Sequence, residues 1–217
     1  MSPRPYRLGQ RQAAIDETRA RVIAAARTLL EAAEPGRFSV DAVAQHADVS
    51  RATVYYQFHS KLGLLEALFD SVGAAGGMAG LADAFRLPDP LLALDEFVAV
   101  FGRFWSADRT LHRRLRGLAA LDPDLSTALA VRQEWRRRGA TALVTRLTAR
   151  PGDPPSPPGP GEAPPPQGPA ADAVDLLFAV TSFETFDVLA GPDRTPEAVI
   201  PLAQHLARAA VSRLIRP

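Results

Sequence analysis

Ser-Val-Asp-Ala-Val-Ala-Gln-His-Ala-Asp-Val-Ser-Arg-Ala-Thr-Val-Tyr-Tyr-Gln-Phe-His-Ser-Lys, residues 39–61, reads as two short helices joined by a tight turn. Ser39 offers a hydroxyl to the free backbone N–H groups that open the first helix. Asp41, in the first turn, suits the positive end of the helix dipole. Val40, Val43, Ala44 and Ala47 recur at i, i+3, i+4 and i+7, so one face is apolar. Ala44 is small where a crossing helix must come close. Asp48 falls in the turn, and Asp tolerates left-handed backbone better than most side chains. Val49 fills the angle between the helices, Ser50 caps the second helix, and Val54 and Phe58 return to the core one turn apart.

The residues left over face outward: Arg51, Ala52, Thr53, Tyr55, Tyr56 and Gln57, with Lys61 at the start of the next helix. Arg51 and Lys61 can neutralise phosphates. Ser50, Thr53 and the two tyrosine hydroxyls can bond phosphates or base edges, and Gln57 can pair with adenine or accept from cytosine. Ala52 lets the helix approach the groove floor. This is the layout of a helix-turn-helix reader of duplex DNA. A plain helical hairpin with a solvated outer face has the same periodicity. Two adjacent exposed tyrosines between Arg51 and Gln57 are costly, however, on a surface that meets no partner.

The run from Phe38-Ser39-Val40 to Val54-Tyr55-Tyr56-Gln57-Phe58-His59-Ser60-Lys61, followed by Leu64-Leu65, resembles the tetracycline-repressor (TetR) family. The likeness covers about residues 16–75. In that family a phrase of the form Phe-Thr-Val…Ile-Ala…Ala-Gly-Val-Ser…Leu-Tyr-x-Tyr-Phe-x-x-Lys marks the DNA-binding domain. Asp48 stands where the family usually has Gly. Gln57 stands where Tyr, Arg or His is frequent, which should alter base preference rather than binding as such. The resemblance implies a homodimeric repressor whose C-terminal domain binds a small ligand. Ser39, Ser50, Arg51, Ala52, Thr53, Tyr55, Tyr56, Gln57 and Lys61 form the expected DNA-binding set.

With 217 residues, of which 47% are hydrophobic, the chain has room for one or two domains with a real core. The net charge is only +1, so attraction to nucleic acid must be local. Residues 1–61 hold nine basic side chains against six acidic ones, the asymmetry expected of a DNA-binding head. No cysteine is present, which excludes disulfide scaffolds, zinc fingers and thiol catalysis. No apolar run approaches the ~20 residues of a membrane span. Met1 to Gln10 is polar and basic, so no signal peptide and a cytoplasmic location are expected.

The expected architecture is all-α. Residues 1–10, with Arg4 and Arg7, read as a flexible basic arm. Residues 11–75 read as the three-helix helix-turn-helix domain, its first helix running from about Arg11 to Ala33 and ended by Pro35-Gly36. Gly73 to Gly80 is too rich in glycine for a rigid helix and reads as a soft joint or a loop. Residues 81–217 read as a helical ligand-binding and dimerisation domain. Its helices fall near 91–107, 110–120, 123–149, 171–189 and 196–215, and Pro201 should kink or restart the last. Residues 151–170 hold ten prolines and four glycines, a low-complexity linker inserted between helices.

Phe97, Phe101, Phe104, Trp105, Trp135, Phe178, Phe183 and Phe186 cluster in this second half. Core packing accounts for any one of them. The set also suits an apolar ligand cavity, with Thr181, Glu184 and Thr185 as polar hooks. The last two helices carry Leu176, Leu177, Val180, Phe183 and Val188, then Leu202, Leu206, Ala209, Ala210 and Leu214. These stripes could close a monomer core or form a homodimer interface.

Catalysis finds little support: no phosphate loop, no nucleophile elbow and no paired histidines occur. Asp108 and His112, one turn apart, could begin a metal site but read better as a surface hydrogen-bonded pair. No cofactor is expected. The sequence therefore points to a DNA-binding transcriptional regulator, probing a double-stranded operator with half-sites about one helical turn apart. It would be a homodimer released by an unknown apolar or amphipathic effector. The alternatives are a regulator without a ligand and, further off, an α-helical enzyme.

Overall fold

The structure, a computed structural model, describes residues 4–32, 38–149 and 167–215. The described residues form helices and connecting turns, without strands. They divide into two compact units: Met1–Val72 with Arg113–Ala128, and Gly73–His112 with Leu129–Pro217.

The first unit holds α1 (Arg4–Ala32), α2 (Val40–His46), α3 (Arg51–Phe58) and most of α4 (Lys61–Ala75). It also takes the end of α7 (Arg109–Ala119) and the start of α8 (Pro123–Thr148). Its interior is built from Val22, Ala26 and Leu30 of α1, Val43 and Ala44 of α2, Val54 and Phe58 of α3, and Leu64, Leu65 and Leu68 of α4. Leu115 and Leu125 are buried as well. The expected first helix begins earlier than the sequence suggested, at Arg4 instead of Arg11. Pro5 lies in the first turn, where a missing N–H breaks no intrahelical bond, and the Gln, Arg and Ala that follow are good helix formers. The segment taken as a flexible arm is thus helical from Arg4 onward.

The second unit is organised around α6 (Pro90–Ala107), which buries Leu94, Phe97, Val98, Phe101 and Trp105. Around it lie α5 (Gly80–Arg86), α9 (Pro169–Val180), α10 (Phe183–Ala190), a 3-10 turn at Glu197–Val199 and α11 (Ile200–Ile215). Ala203, Ala207 and Val211 give α11 a flat, fully buried side. Arg208 of α11 pairs with Asp95 of α6, and the Gln204 amide donates to the Asp95 carbonyl at 3.0 Å.

The structure bears on three further expectations. Within the glycine-rich stretch 73–80, α4 runs to Ala75 and α5 opens at Gly80; residues 76–79 between them form a tight turn, closed by Met78 N–H donating to Gly73 O at 3.0 Å, with Gly77 at φ +78°. The helix expected over 171–189 is two helices, broken at Thr181-Ser182. Ser182 Oγ accepts from Thr185 N–H at 3.1 Å and so caps α10, while the Thr181 hydroxyl donates back to Leu177 O at 2.8 Å. Pro201 sits in the first turn of α11, after the 3-10 turn, which is the restart its ring demands. Most of the proline-rich linker, residues 151–166, lies outside the described residues, and its last two residues open α9.

Candidate nucleic-acid interface

The α2–turn–α3 hairpin is made by its caps. Ser39 Oγ accepts from Ala42 N–H at 3.1 Å and starts α2; Ser50 Oγ accepts from Thr53 N–H at 3.0 Å and starts α3. Between them Asp48 takes φ +51°, the left-handed turn that its short polar side chain tolerates. The turn is tied by Val49 N–H donating to Ala44 O at 3.0 Å. Helix α3 ends at His59, a non-glycine residue at φ +64° whose N–H donates to Tyr55 O.

This geometry divides the expected DNA-binding set in two. Arg51, Ala52, Tyr55 and Tyr56 form the exposed face of α3, and Tyr56 is 75% exposed. The Arg51 guanidinium lies 3.0 Å from Asp41 Oδ2 and donates to the Tyr55 hydroxyl at 3.4 Å, its carbon 5.4 Å from the Tyr55 ring centre. The Tyr55 hydroxyl and the Asp41 carboxylate together raise the Arg51 pKa, so the cation is permanent. Ion pairs this exposed contribute little and are easily exchanged for a phosphate.

The other members are engaged within the protein. Ser39 and Ser50 cap their helices, and the Ser50 and Thr53 hydroxyls share a 2.8 Å hydrogen bond. Gln57 does not stand in the exposed row. Its amide donates to Ile15 O of α1 at 3.2 Å, and its own carbonyl accepts from Arg19 at 3.1 Å. Arg19 also lies 4.5 Å from the Phe58 ring centre, so Gln57 and Arg19 fasten α1 to α3. Lys61 is only 25% exposed. Its ammonium lies 2.6 Å from Asp122 Oδ2, 3.4 Å from Asp124 Oδ2 and 5.7 Å from the Phe38 ring centre. Asp41, Asp122 and Asp124 are the functional neighbours that sequence reasoning missed. The Asp122-Pro123 pair signalled a helix start, and nothing in it signals a partner 61 residues away.

Partial burial raises the Asp122 pKa. The Lys61 hydrogen bond and charge, together with the backbone N–H groups of Leu125 and Asp124, outweigh that effect and leave it below the ordinary carboxylate value.

In the second unit the expected ligand residues also separate. Phe97, Phe101, Trp105 and Phe183 are buried and Phe104 is half-buried. They stack in a continuous series with Phe85 and His112. Ring centres are 5.9 Å apart for Phe85–Phe97, 5.1 Å for Phe97–Phe101 and 4.8 Å for Trp105–His112. Thr181 is fully buried, and its carbonyl accepts from Trp105 Nε1 at 3.0 Å. Trp135, at 55% exposed, and Glu184 lie outside this cluster. The buried neighbour of Trp135 is Arg136, which donates to Phe178 O and to Thr181 Oγ1, where α9 ends and carbonyls are free. Its guanidinium covers the Phe178 ring at 3.8 Å, so Phe178 is a platform for a cation. The surface location expected for His112 is corrected: it is buried between Phe104, Trp105 and Phe183, and Asp108 Oδ1 accepts from Leu111 N–H and opens α7. Among the described residues no group of three His, Asp or Glu side chains could hold a metal ion. No single described helix is long and apolar enough to cross a membrane.

Comparison with known proteins adds to this geometry. No curated protein matches the chain. The fold is similar to that of a transcriptional regulator from Rhodococcus sp. Rha1, with TM-score 0.59 and 20% identity over 92% of this chain and 98% of that one. It is similar to a protein proposed to be a TetR-family regulator from Mesorhizobium loti MAFF303099, with TM-score 0.57 and 15% identity over 92% and 97%. A tetR-family transcriptional regulator from Streptomyces coelicolor gives 0.51 and 21% over 92% and 82%. These likenesses establish the fold. Residues 22–68, which span the end of α1, the capped α2–turn–α3 hairpin and the start of α4, match the family model of the bacterial regulatory proteins of the tetR family. Over this helix-turn-helix segment, the chain is similar to the tetR family.

Proposed function

We propose that this protein is a homodimeric transcriptional regulator that reads a near-palindromic operator with α3, in the cytoplasm, and is released from it by a small apolar or amphipathic ligand. The observation that carries the DNA-binding part is the face of α3. A helix capped by Ser50 presents Arg51, Ala52, Tyr55 and Tyr56 outward within the segment that matches the tetR family. Large exposed hydrophobics on the last helices, Leu176, Val188, Leu202 and Leu206, support dimerisation there.

The aromatic series in the second unit supports the ligand, with Phe97, Phe101, Phe104, Trp105 and Phe183 as its contacts and Thr181 as the polar end. The same rings touch one another edge to face, and a Cβ on Gly139 would stand 2.8 Å from Phe97 Cε2. That close packing favours a second reading, a regulator whose aromatics are core alone. A thermal shift produced by apolar acids or amphiphiles separates the two.

The DNA reading is tested by selecting a duplex from random sequence with the purified protein, then assaying Arg51→Ala/Tyr56→Ala on it. The double variant is expected to lose retardation of the selected duplex with helicity unchanged. Retardation at wild-type concentration would remove α3 as the reading face.

A further inference from the structure

Lys61 is the chain's single lysine, against 24 arginines. It opens α4 two residues after α3 closes, at the foot of the reading helix. Two carboxylates hold its ammonium. Asp122 is positioned for this by its other oxygen, which accepts from Asp124 N–H at 3.1 Å and from Leu125 N–H at 3.2 Å and so caps α8. Among these three side chains one cation meets two anions, so a phosphate that bound Lys61 would have to displace a carboxylate. The Arg51–Asp41 pair differs: it is mostly exposed and readily exchanged, whereas Lys61 and Asp122 are each only about a quarter exposed.

We propose that Asp122 and Asp124 act as an intramolecular stand-in for a DNA phosphate, holding Lys61 back from the duplex and thereby restraining operator affinity. This inference rests on the reading of the chain as a DNA-binding regulator. Restraint of this kind keeps a basic reading head from binding unselected DNA, because phosphate contacts carry no sequence information. Neutralising the carboxylates frees one phosphate contact per subunit. Each such contact adds about 0.9 to the slope of log affinity against log salt, which at 0.1 M salt is a gain of about eightfold relative to 1 M.

The experiment compares four full-length proteins on the duplex that the wild type selects, over a range of salt: wild type, Asp122→Asn/Asp124→Asn, Lys61→Gln, and the triple variant. Asn keeps the acceptor that caps α8, so the fold is retained. The Asp variant is expected to bind more tightly with a steeper salt slope, Lys61→Gln to leave the wild-type slope unchanged, and the triple variant to lose the gain. Equal gains with and without Lys61 would reduce the effect to overall charge and overturn the proposal, as would no gain at all.

A second readout needs no DNA. Reductive methylation with 13C-formaldehyde labels only Lys61 and the terminal amine, and the Lys61 methyl signal must move when the two carboxylates are neutralised. An unmoved signal overturns the clamp itself. A moved signal in a protein that retards no duplex refutes the DNA reading instead.

Discussion

A methyl group added at Gly102 should destabilise the second unit by a calculable amount. Gly102 is where α6 meets the start of α11, and a Cβ there would stand 2.3 Å from Ile200 Cγ1 and 2.9 Å from both Ile200 Cδ1 and Phe186 Cε1. Neither neighbour yields easily. Phe186 is fully buried, and Ile200 precedes Pro201 at the joint between the 3-10 turn and α11. Overpacking of this kind costs about 1–3 kcal/mol, while Ala gains ~1 kcal/mol over Gly in a helix interior. An approach of 2.3 Å places the cost in the upper part of that range, about 2–3 kcal/mol, so Gly102→Ala should lose about 1–2 kcal/mol, a fall in Tm of roughly 2–8 °C for a chain of this size. Gly117, inside α7, is the control: a Cβ there meets nothing within 4 Å, so Gly117→Ala keeps the propensity gain and should raise Tm by about 2–4 °C. Scanning calorimetry on both variants decides. If Gly102→Ala melts at or above the wild type while Gly117→Ala behaves as expected, the close packing of α6 on α11 is wrong.

Asp122 makes stability depend on pH. Its folded pKa is depressed, so its contribution is complete above the unfolded value of about 3.9 and is lost as pH falls through the folded value. Urea titrations should show wild type more stable than Asp122→Asn at pH 6, with the gap closing below about pH 3.9; a gap independent of pH would show that charge is not its source. His59→Gly should stabilise the first unit by about 1 kcal/mol, because glycine adopts the φ of +64° without a Cβ conflict; a lower Tm would mean that the imidazole makes a compensating contact. Deleting residues 153–168 should leave Tm and operator affinity nearly unchanged, since shortening a proline-rich connection alters closure entropy only slowly; a large drop in Tm would show that the segment packs.

The sequence by itself determined the helix-turn-helix. Every signal that builds it acts within a few residues: the Ser39 and Ser50 caps, the left-handed Asp48, and the one-turn spacing of Val54 and Phe58. Such interactions are the same in any tertiary setting, so composition and periodicity suffice to read them. The all-α class was legible for the same reason.

What the tertiary structure decided are the partners of polar and aromatic groups across long separations. Lys61 reads as an unpaired cation until Asp122 and Asp124 are brought to it, and Gln57 as an unengaged amide until Ile15 O accepts from it. Trp135 and Arg136 are neighbours in sequence, and hydrophobicity alone would bury the tryptophan. The free carbonyls at the end of α9 and the face of Phe178 reward the guanidinium instead, and rotation of 100° per residue carries Trp135 outward. Charge and hydrogen bonding depend on which groups meet in space, and that is set only when distant helices pack.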